Sequence, residues 1–380
     1  MNSVIKNHFM LDPEITYLNH GSFGACPRPI FENLVHWQKQ LELEPVKHLA
    51  FDIFPLLEES RLSLSKYIGC KKDDLIFTPN PSTALNTVIK SLNLNKGDEI
   101  LSTNHEYGAL DKTWSFICKK TGAKYIRQKI NLPLNSNEDF INQFKSGITD
   151  RTKVIFLSHI TSATGLIFPA KEICKIAKKK EILCIIDGAH APGHIKLNIS
   201  EMNPDVYVGA CHKWMCSPKG VSFLYVKNNL QNMIDPLVVS WGYEAEEPGK
   251  SQFLDYHQWQ GTRDMSAYLT IPKTIEFLHN NKWDEVASKC RKTNLWARKE
   301  INNLLGNDPL CDNKFLGQMS SIYLDFKNPI QTQIDFYTKY NIQIPFMIWN
   351  EISLIRISIQ AYNKKDDVYK LLDALKKEYC

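Results

Sequence analysis

The ten cysteines of this 380-residue chain include no C-x-x-C pair, and the closest two, Cys211 and Cys216, lack the spacing of zinc ligands. The common structural metal sites are thereby excluded; no metal is expected, and the cysteines read as reduced thiols. No stretch approaches the roughly 20 consecutive apolar residues that a membrane-spanning helix needs, and residues 1–8 show no charged-then-apolar leader. A cytoplasmic location without membrane contact is the expectation. Net charge is also small: 46 Lys and Arg stand against 41 Asp and Glu, a formal +5 spread along the chain. An excess of that size argues against nucleic acid as a partner. Internal repeats, low-complexity tracts and long linkers are missing too. With 43% hydrophobic and 23% charged residues, the chain has the composition and length for one large or two medium domains around a well-buried core.

Between about residues 70 and 230, short β-rich runs alternate with stretches of helical period. The runs lie at 75–78, 99–103, 124–128, 153–158, 183–187, 206–209 and 221–226, with helices expected at 82–92, 107–120, 137–145 and 170–179. This alternation predicts an α/β fold whose seven-stranded sheet is mostly parallel. Near-continuous apolar runs such as Val154-Ile155-Phe156-Leu157 and Cys184-Ile185-Ile186 predict strands covered on both faces, so functional groups should sit just beyond strand ends. After residue 265 long amphipathic segments (265–279, 283–305) precede short strands at 320–326 and 354–359 and a final charged helix at 364–377. The expected division is an N-terminal arm at 1–30 packing on the small domain and the active site, a large domain at 31–264, and a small α+β domain at 265–380.

Chemistry concentrates in Ile185-Ile186-Asp187-Gly188-Ala189-His190-Ala191-Pro192-Gly193 and in Gly209-Ala210-Cys211-His212-Lys213-Trp214. An Asp that closes a buried apolar strand is costly unless it meets a cation, and Gly188 and Ala189 leave room for a flat ligand against the backbone. Lys213 ends another strand between His212 and Trp214, where partial desolvation would lower its pKa toward a nucleophilic amine. Alone, Asp187 could equally be a strand-end cap, and Lys213 a surface lysine. Together they suit pyridoxal 5'-phosphate, in which a lysine forms the Schiff base and a carboxylate keeps the pyridine nitrogen protonated.

A phosphate also needs a cradle. The segment Phe77-Thr78-Pro79-Asn80-Pro81-Ser82-Thr83 runs from a strand through a proline-bounded turn into a helix. Ser82 and Thr83 at its start suit either ordinary N-capping or a phosphate dianion. Beside a Schiff-base lysine, phosphate binding is the better fit.

Six motifs in order then carry a resemblance across essentially the whole chain: Tyr17-Leu18-Asn19-His20-Gly21-Ser22-Phe23-Gly24, His105-Glu106-Tyr107-Gly108-Ala109, Ser158-His159-Ile160-Thr161-Ser162-Ala163-Thr164-Gly165, the Asp187 and Lys213 blocks, Trp259-Gln260-Gly261-Thr262-Arg263-Asp264, and Leu354-Ile355-Arg356-Ile357-Ser358. The chain resembles the class V aminotransferase superfamily of fold-type I pyridoxal-phosphate enzymes, and within it the isopenicillin N epimerase-like branch. The resemblance implies Lys213 as the Schiff-base lysine, Asp187 as partner of the pyridine nitrogen and His190 as donor to the cofactor's 3'-oxygen. It places Tyr107 as the ring stacked on the pyridine, with Ser162 beside the same oxygen where many relatives have Asn. Ser82, Thr83 and His212 would hold the phosphate. Thr262 would reach it from a partner subunit, which implies a homodimer. Ala210 stands where others place a phosphate-binding Ser. Arg356, His20 and Gly21 would form the substrate site; independently of the likeness, a guanidinium beside a β-rich run offers a fork to the α-carboxylate of an amino acid.

The cofactor leaves the reaction open among epimerisation, carbon–sulfur β-elimination and transamination, since all begin with loss of the Cα proton. Cysteine desulfuration is disfavoured, because Ile344-Pro345-Phe346-Met347-Ile348-Trp349 brings no nucleophilic cysteine ahead of Arg356 and Cys311 lies farther upstream. Pro345, Phe346 and Trp349, with Trp241-Gly242-Tyr243, suggest an aromatic-walled pocket for a bulky amino acid. An epimerase or β-lyase acting on an amino-acid derivative ranks first and an aminotransferase second; a cofactor-binding paralogue without turnover is the reading from another class.

Overall fold

A computed structural model describes residues 3–380; residues 1 and 2 of the expected N-terminal arm lie outside the described part. Seven strands form the main sheet: β1 (Leu75–Thr78), β2 (Glu99–Thr103), β3 (Lys124–Gln128), β4 (Thr152–Ser158), β5 (Leu183–Gly188), β6 (Val206–Ala210) and β7 (Ser222–Val226). Their spatial order is β1-β7-β6-β5-β4-β2-β3. Strand β7 runs antiparallel to both neighbours, and the remaining pairings are parallel. The expected mostly parallel sheet of seven is therefore present, with each run within a residue or two of its expected position.

Alternation explains why β4 from Val154 to Leu157 and β5 up to Ile186 are apolar at successive positions. Ile155, Leu157, Cys184 and Ile186 join the large core cluster that extends into the C-terminal part. Val154, Phe156 and Ile185 point the other way, into a second cluster with Leu85, Val88, Leu110 and Trp114. Successive side chains of a strand face opposite sides, so a sheet covered on both faces needs apolar residues at every position.

The principal helices pack on those faces, on the smaller C-terminal sheet and on one another. They are α1 (Arg28–Leu43), α2 (Ile53–Ile68), α3 (Pro81–Ser91), α4 (Gly108–Thr121), α5 (Ala170–Lys179), α6 (Ile271–Asn280), α7 (Trp283–Leu305) and α8 (Lys365–Tyr379). Helix α3 starts with Pro81, whose missing N–H costs nothing there, and Asn80 caps it by accepting from the Thr83 amide at 2.8 Å. The single helix expected at 265–279 is two: Ser266–Leu269 ends at Thr270, and α6 restarts with a proline in its first turn. Both pieces pack on α1 and α2 of the N-terminal region.

The small sheet has β8 (Met319–Tyr323), β9 (Phe346–Trp349) and β10 (Ile352–Ser358), all antiparallel in the order β9-β10-β8. Strand β9 was not among the expected elements. The N-terminal segment joins this part of the fold: Thr16–Tyr17 pairs in parallel with Ile342–Gln343, and Asn19 bridges to Ser358. Gly24, with φ +69°, lets that segment pass against the Lys213 loop, where a Cβ would lie 2.0 Å from the His212 carbonyl. No helix among the described residues is long and apolar enough to cross a membrane.

Candidate active site

The parallel strands deliver their C-terminal ends to one edge, where β5 ends on Asp187-Gly188 and β6 on Ala210, three residues before Lys213. Asp187 is buried; one carboxylate oxygen accepts from the Ala189 amide at 2.9 Å, and no cation lies within ion-pair distance among the described residues. Burial pushes its carboxyl up, while the Ala189 amide and the charge of Lys213 pull it back. Gly188 is required beside it, since a Cβ would sit 2.2 Å from the Tyr207 ring.

Lys213 places Nζ 3.1 Å from His190 Nε2. Its side chain is only partly accessible, and the dense surroundings lower its pKa to about 8. Desolvation is the main cause, with Asp187 acting upward and Arg356 downward. Trp214 donates its indole N–H to His190 Nδ1 at 3.3 Å. Asp187, His190 and Lys213, expected together, are together.

Arg356 approaches from β10. It is 2% exposed, donating to the Ser162 carbonyl at 2.6 Å and to Ser22 Oγ at 2.9 Å, while its Nε has no partner. No carboxylate is within ion-pair distance among the described residues. Desolvation lowers the guanidinium to about 10. A buried guanidinium without an acid is costly, and a ligand carboxylate is the group that would offset it.

The remaining expected residues divide. Ser162 lies at the Arg356 guanidinium. His20 is fully buried, with Nδ1 on the Tyr362 hydroxyl and Nε2 3.0 Å from the Lys213 carbonyl, so it braces the lysine's backbone rather than facing a ligand. Gly21 is a close-packing position, where a Cβ would meet Met319 Sδ at 2.8 Å and Ser358 Oγ at 2.9 Å. Tyr107, 48% exposed, precedes α4 and offers a free ring face. Thr83 gives both its amide and its hydroxyl to Asn80, the ordinary capping arrangement, whereas the Ser82 hydroxyl makes no hydrogen bond among the described residues. His212 binds the Val221 carbonyl through Nδ1 at 2.9 Å, and burial lowers it to about 4. Thr262 is exposed and takes part in none of these networks.

The expected aromatic-walled pocket does not form. Phe346 is buried against Phe326 and Phe336, and Trp349 is buried against His105 with its indole on the Asn104 carbonyl. Trp241 is 88% exposed and lines a different groove, with Leu49, Phe54 and Trp259. These rings serve packing and surface, not the Lys213 site. Cys311 is also buried, beside Arg298, and burial pushes its thiol to about 11, which leaves it inert.

Sequence reasoning missed Asn19 and Ser22, which lie in a quoted motif yet serve to orient Arg356. It also missed Glu106, whose buried carboxylate accepts from Thr103 Oγ1 at 2.6 Å, the Ser158 amide at 2.9 Å and Ser158 Oγ at 2.6 Å. A carboxylate three positions after a buried threonine in His-Glu-Tyr was the available signal.

A buried carboxylate lacking a cation, a lysine depressed by desolvation and an unengaged serine at a helix N-terminus fit pyridoxal 5'-phosphate. The fold and these residues define a fold-type I pyridoxal-phosphate enzyme. The aminotransferase class-V profile matches residues 27–371, and the chain belongs to that family. It is similar to isopenicillin N epimerase of Amycolatopsis lactamdurans, 30% identical over 389 residues covering 98% of this chain and 97% of that protein. Hercynylcysteine sulfoxide lyase of Schizosaccharomyces pombe is 26% identical over 385 residues, covering 99% and 97%. Among solved structures, the apo cysteine desulfurase of Thermococcus onnurineus NA1 superposes with a TM-score of 0.84 at 18% identity, covering 99% of this chain and 98% of that one. The cystine C–S lyase C-DES, in complex with cysteine persulfide, also reaches 0.84, at 21% identity over 96% and 98%.

Proposed function

We propose that the protein removes the Cα proton of an amino acid bearing a sulfur substituent at Cβ and expels that substituent, as a carbon–sulfur β-lyase. The carrying observation is the pairing of Arg356, buried without an acid, with Lys213, whose amine is driven toward neutrality. One can anchor an α-carboxylate and the other can take the α-proton. When bound, pyridoxal phosphate supplies the electron sink for the Cα–H electrons. Asp187 would hold its ring nitrogen protonated, His190 would donate to its 3'-oxygen, and Tyr107 would cover the ring. Ser82, Thr83 and His212 would hold the phosphate. Lys213 would hold the proton at Nζ, and Arg356 would fix which Cα bond stands across the ring.

Relatives that are epimerases favour a second outcome, reprotonation of Cα from the opposite face. Incubation with S-substituted L-cysteines in deuterated water separates the two. A lyase releases pyruvate, ammonia and the sulfur fragment, and an epimerase gives the D-isomer deuterated at Cα. A keto acid that retains its sulfur would mean transamination, and no product from any substrate would leave only a binding protein.

The proposal includes a homodimer in which Thr262 completes the partner's phosphate site. Exposed apolar residues support an interface: Leu43, Val46, Phe51 at 70% and Val239 are all uncovered. Ten unpaired cysteines are consistent with a reducing, cytoplasmic setting.

A further inference from the structure

His190 lies between two nitrogen groups. Lys213 Nζ is 3.1 Å from its Nε2, and the indole Nε1 of Trp214 is 3.3 Å from its Nδ1. An indole nitrogen can only donate a hydrogen bond. The imidazole nitrogen that receives it must carry the lone pair, which leaves the proton of a neutral ring on Nε2. We propose that Trp214 is a positioning residue that fixes His190 as its Nε2–H tautomer and so makes it a donor toward the place of Lys213 Nζ.

The indole has little freedom to do otherwise. Trp214 is fully buried, with the His194 ring centred 4.0 Å from it at a 35° tilt and the His20 ring 5.0 Å away. His194 is itself pinned: Nδ1 lies 3.0 Å from the His190 carbonyl, and Nε2 accepts from the Gln318 amide at 2.6 Å. Burial, then the charges of Lys213, Arg356, His194 and His212, hold His190 well below its ordinary pKa. The ring is therefore neutral, and its tautomer is a real choice. The opposite tautomer would set an indole N–H against an imidazole N–H in a dry site, an unsatisfied donor pair.

The choice has a consequence for Lys213. An ammonium has no lone pair to accept from Nε2–H, so the fixed tautomer favours the neutral amine. For a bound cofactor, the same N–H is the donor to the 3'-oxygen; this part rests on the function proposed above, whereas the tautomer does not.

The test labels histidine with nitrogen-15 in the cofactor-free protein and reads the His190 ring by NMR. The wild type should show a protonated Nε2 and an acceptor Nδ1. Trp214→Phe, which keeps an apolar ring but removes the N–H, should give a mixed or reversed tautomer while its circular dichroism stays native. In cofactor-loaded protein, the pH midpoint of the visible absorbance should rise in Trp214→Phe, toward the value of His190→Ala, because a donor to the 3'-oxygen is weakened. A wild-type proton on Nδ1, or an unchanged tautomer in folded Trp214→Phe, would overturn the proposal. If that variant does not fold, the wild-type tautomer decides alone. Failure to form any chromophore, with the NMR result as expected, would count against the cofactor reading and leave the tautomer standing.

Discussion

Ser158 stands directly beside Asp187 in the parallel pairing of β4 with β5, and its amide and hydroxyl both bind Glu106. A second buried carboxyl thus lies behind the first, and the charge of Asp187 adds to the proton affinity of Glu106. Burial pushes Glu106 up to about 8 against its three donors.

Because the folded pKa lies above the ordinary value of 4.5, the folded state keeps this proton where the unfolded chain has lost it. Stability should fall as pH rises from about 4.5 to about 8, by up to about 1.4 kcal/mol per pH unit from this group. Glu106→Gln removes the titration and can keep the acceptor oxygen for Ser158. In urea unfolding at a series of pH values, the difference between the two proteins should shift toward the variant through this window. Parallel curves would mean the carboxylate is ionised throughout.

Lys213 titrates the other way. Its amine is available above about 8, whereas an ordinary lysine would need a pH near 10.5. Capture of pyridoxal phosphate by the apoprotein, followed by absorbance, should accelerate with a midpoint near pH 8. Lys213→Ala should bind without a borohydride-reducible bond. A midpoint near 10 would show that desolvation does not act on this amine.

Arg356→Ala should leave the cofactor spectrum intact and lower kcat/KM for amino acids. Losing one desolvated charged contact costs on the order of 2–5 kcal/mol, or about thirtyfold and more. Arg356→Lys should recover little, since an ammonium cannot bond Ser162, Ser22 and a carboxylate in one plane. Loss of the chromophore with unchanged carboxylate affinity would assign this arginine to the cofactor instead.

Assembly is open to the same directness. Replacing Phe51 and Val239 by aspartate should shift sedimentation from dimer to monomer, with loss of cofactor on dilution. A fully active monomer of the wild type would remove Thr262 from the site.

Strands were legible where chemistry is local. The apolar runs of β4 and β5 end in Ser158 and Asp187, and the loop after β6 carries Lys213, so Asp187 and Lys213 could be placed at strand ends from the chain alone. Strand β9 was missed because Phe346 and Trp349 look like pocket lining until their neighbours are known; Phe336 and His105 are those neighbours. The break at Thr270 could have been read from Pro272. The Ser22–Arg356 contact could not, since the two lie 334 positions apart and nothing local in either motif points to the other.

That contact also bears on how the protein is made. Thr16–Tyr17 pairs with Ile342–Gln343, His20 braces the Lys213 carbonyl, and Ser22 waits for Arg356. A nascent chain on the ribosome can close the seven-stranded sheet once residue 226 has emerged, because every strand is then available. Thr16, Tyr17 and Ser22 nevertheless wait for Ile342, Gln343 and Arg356, which emerge only after the first strand of the small sheet. Lys213 is thus in place before Arg356 is, and the arginine gains its Ser22 contact only when the N-terminal segment meets β10.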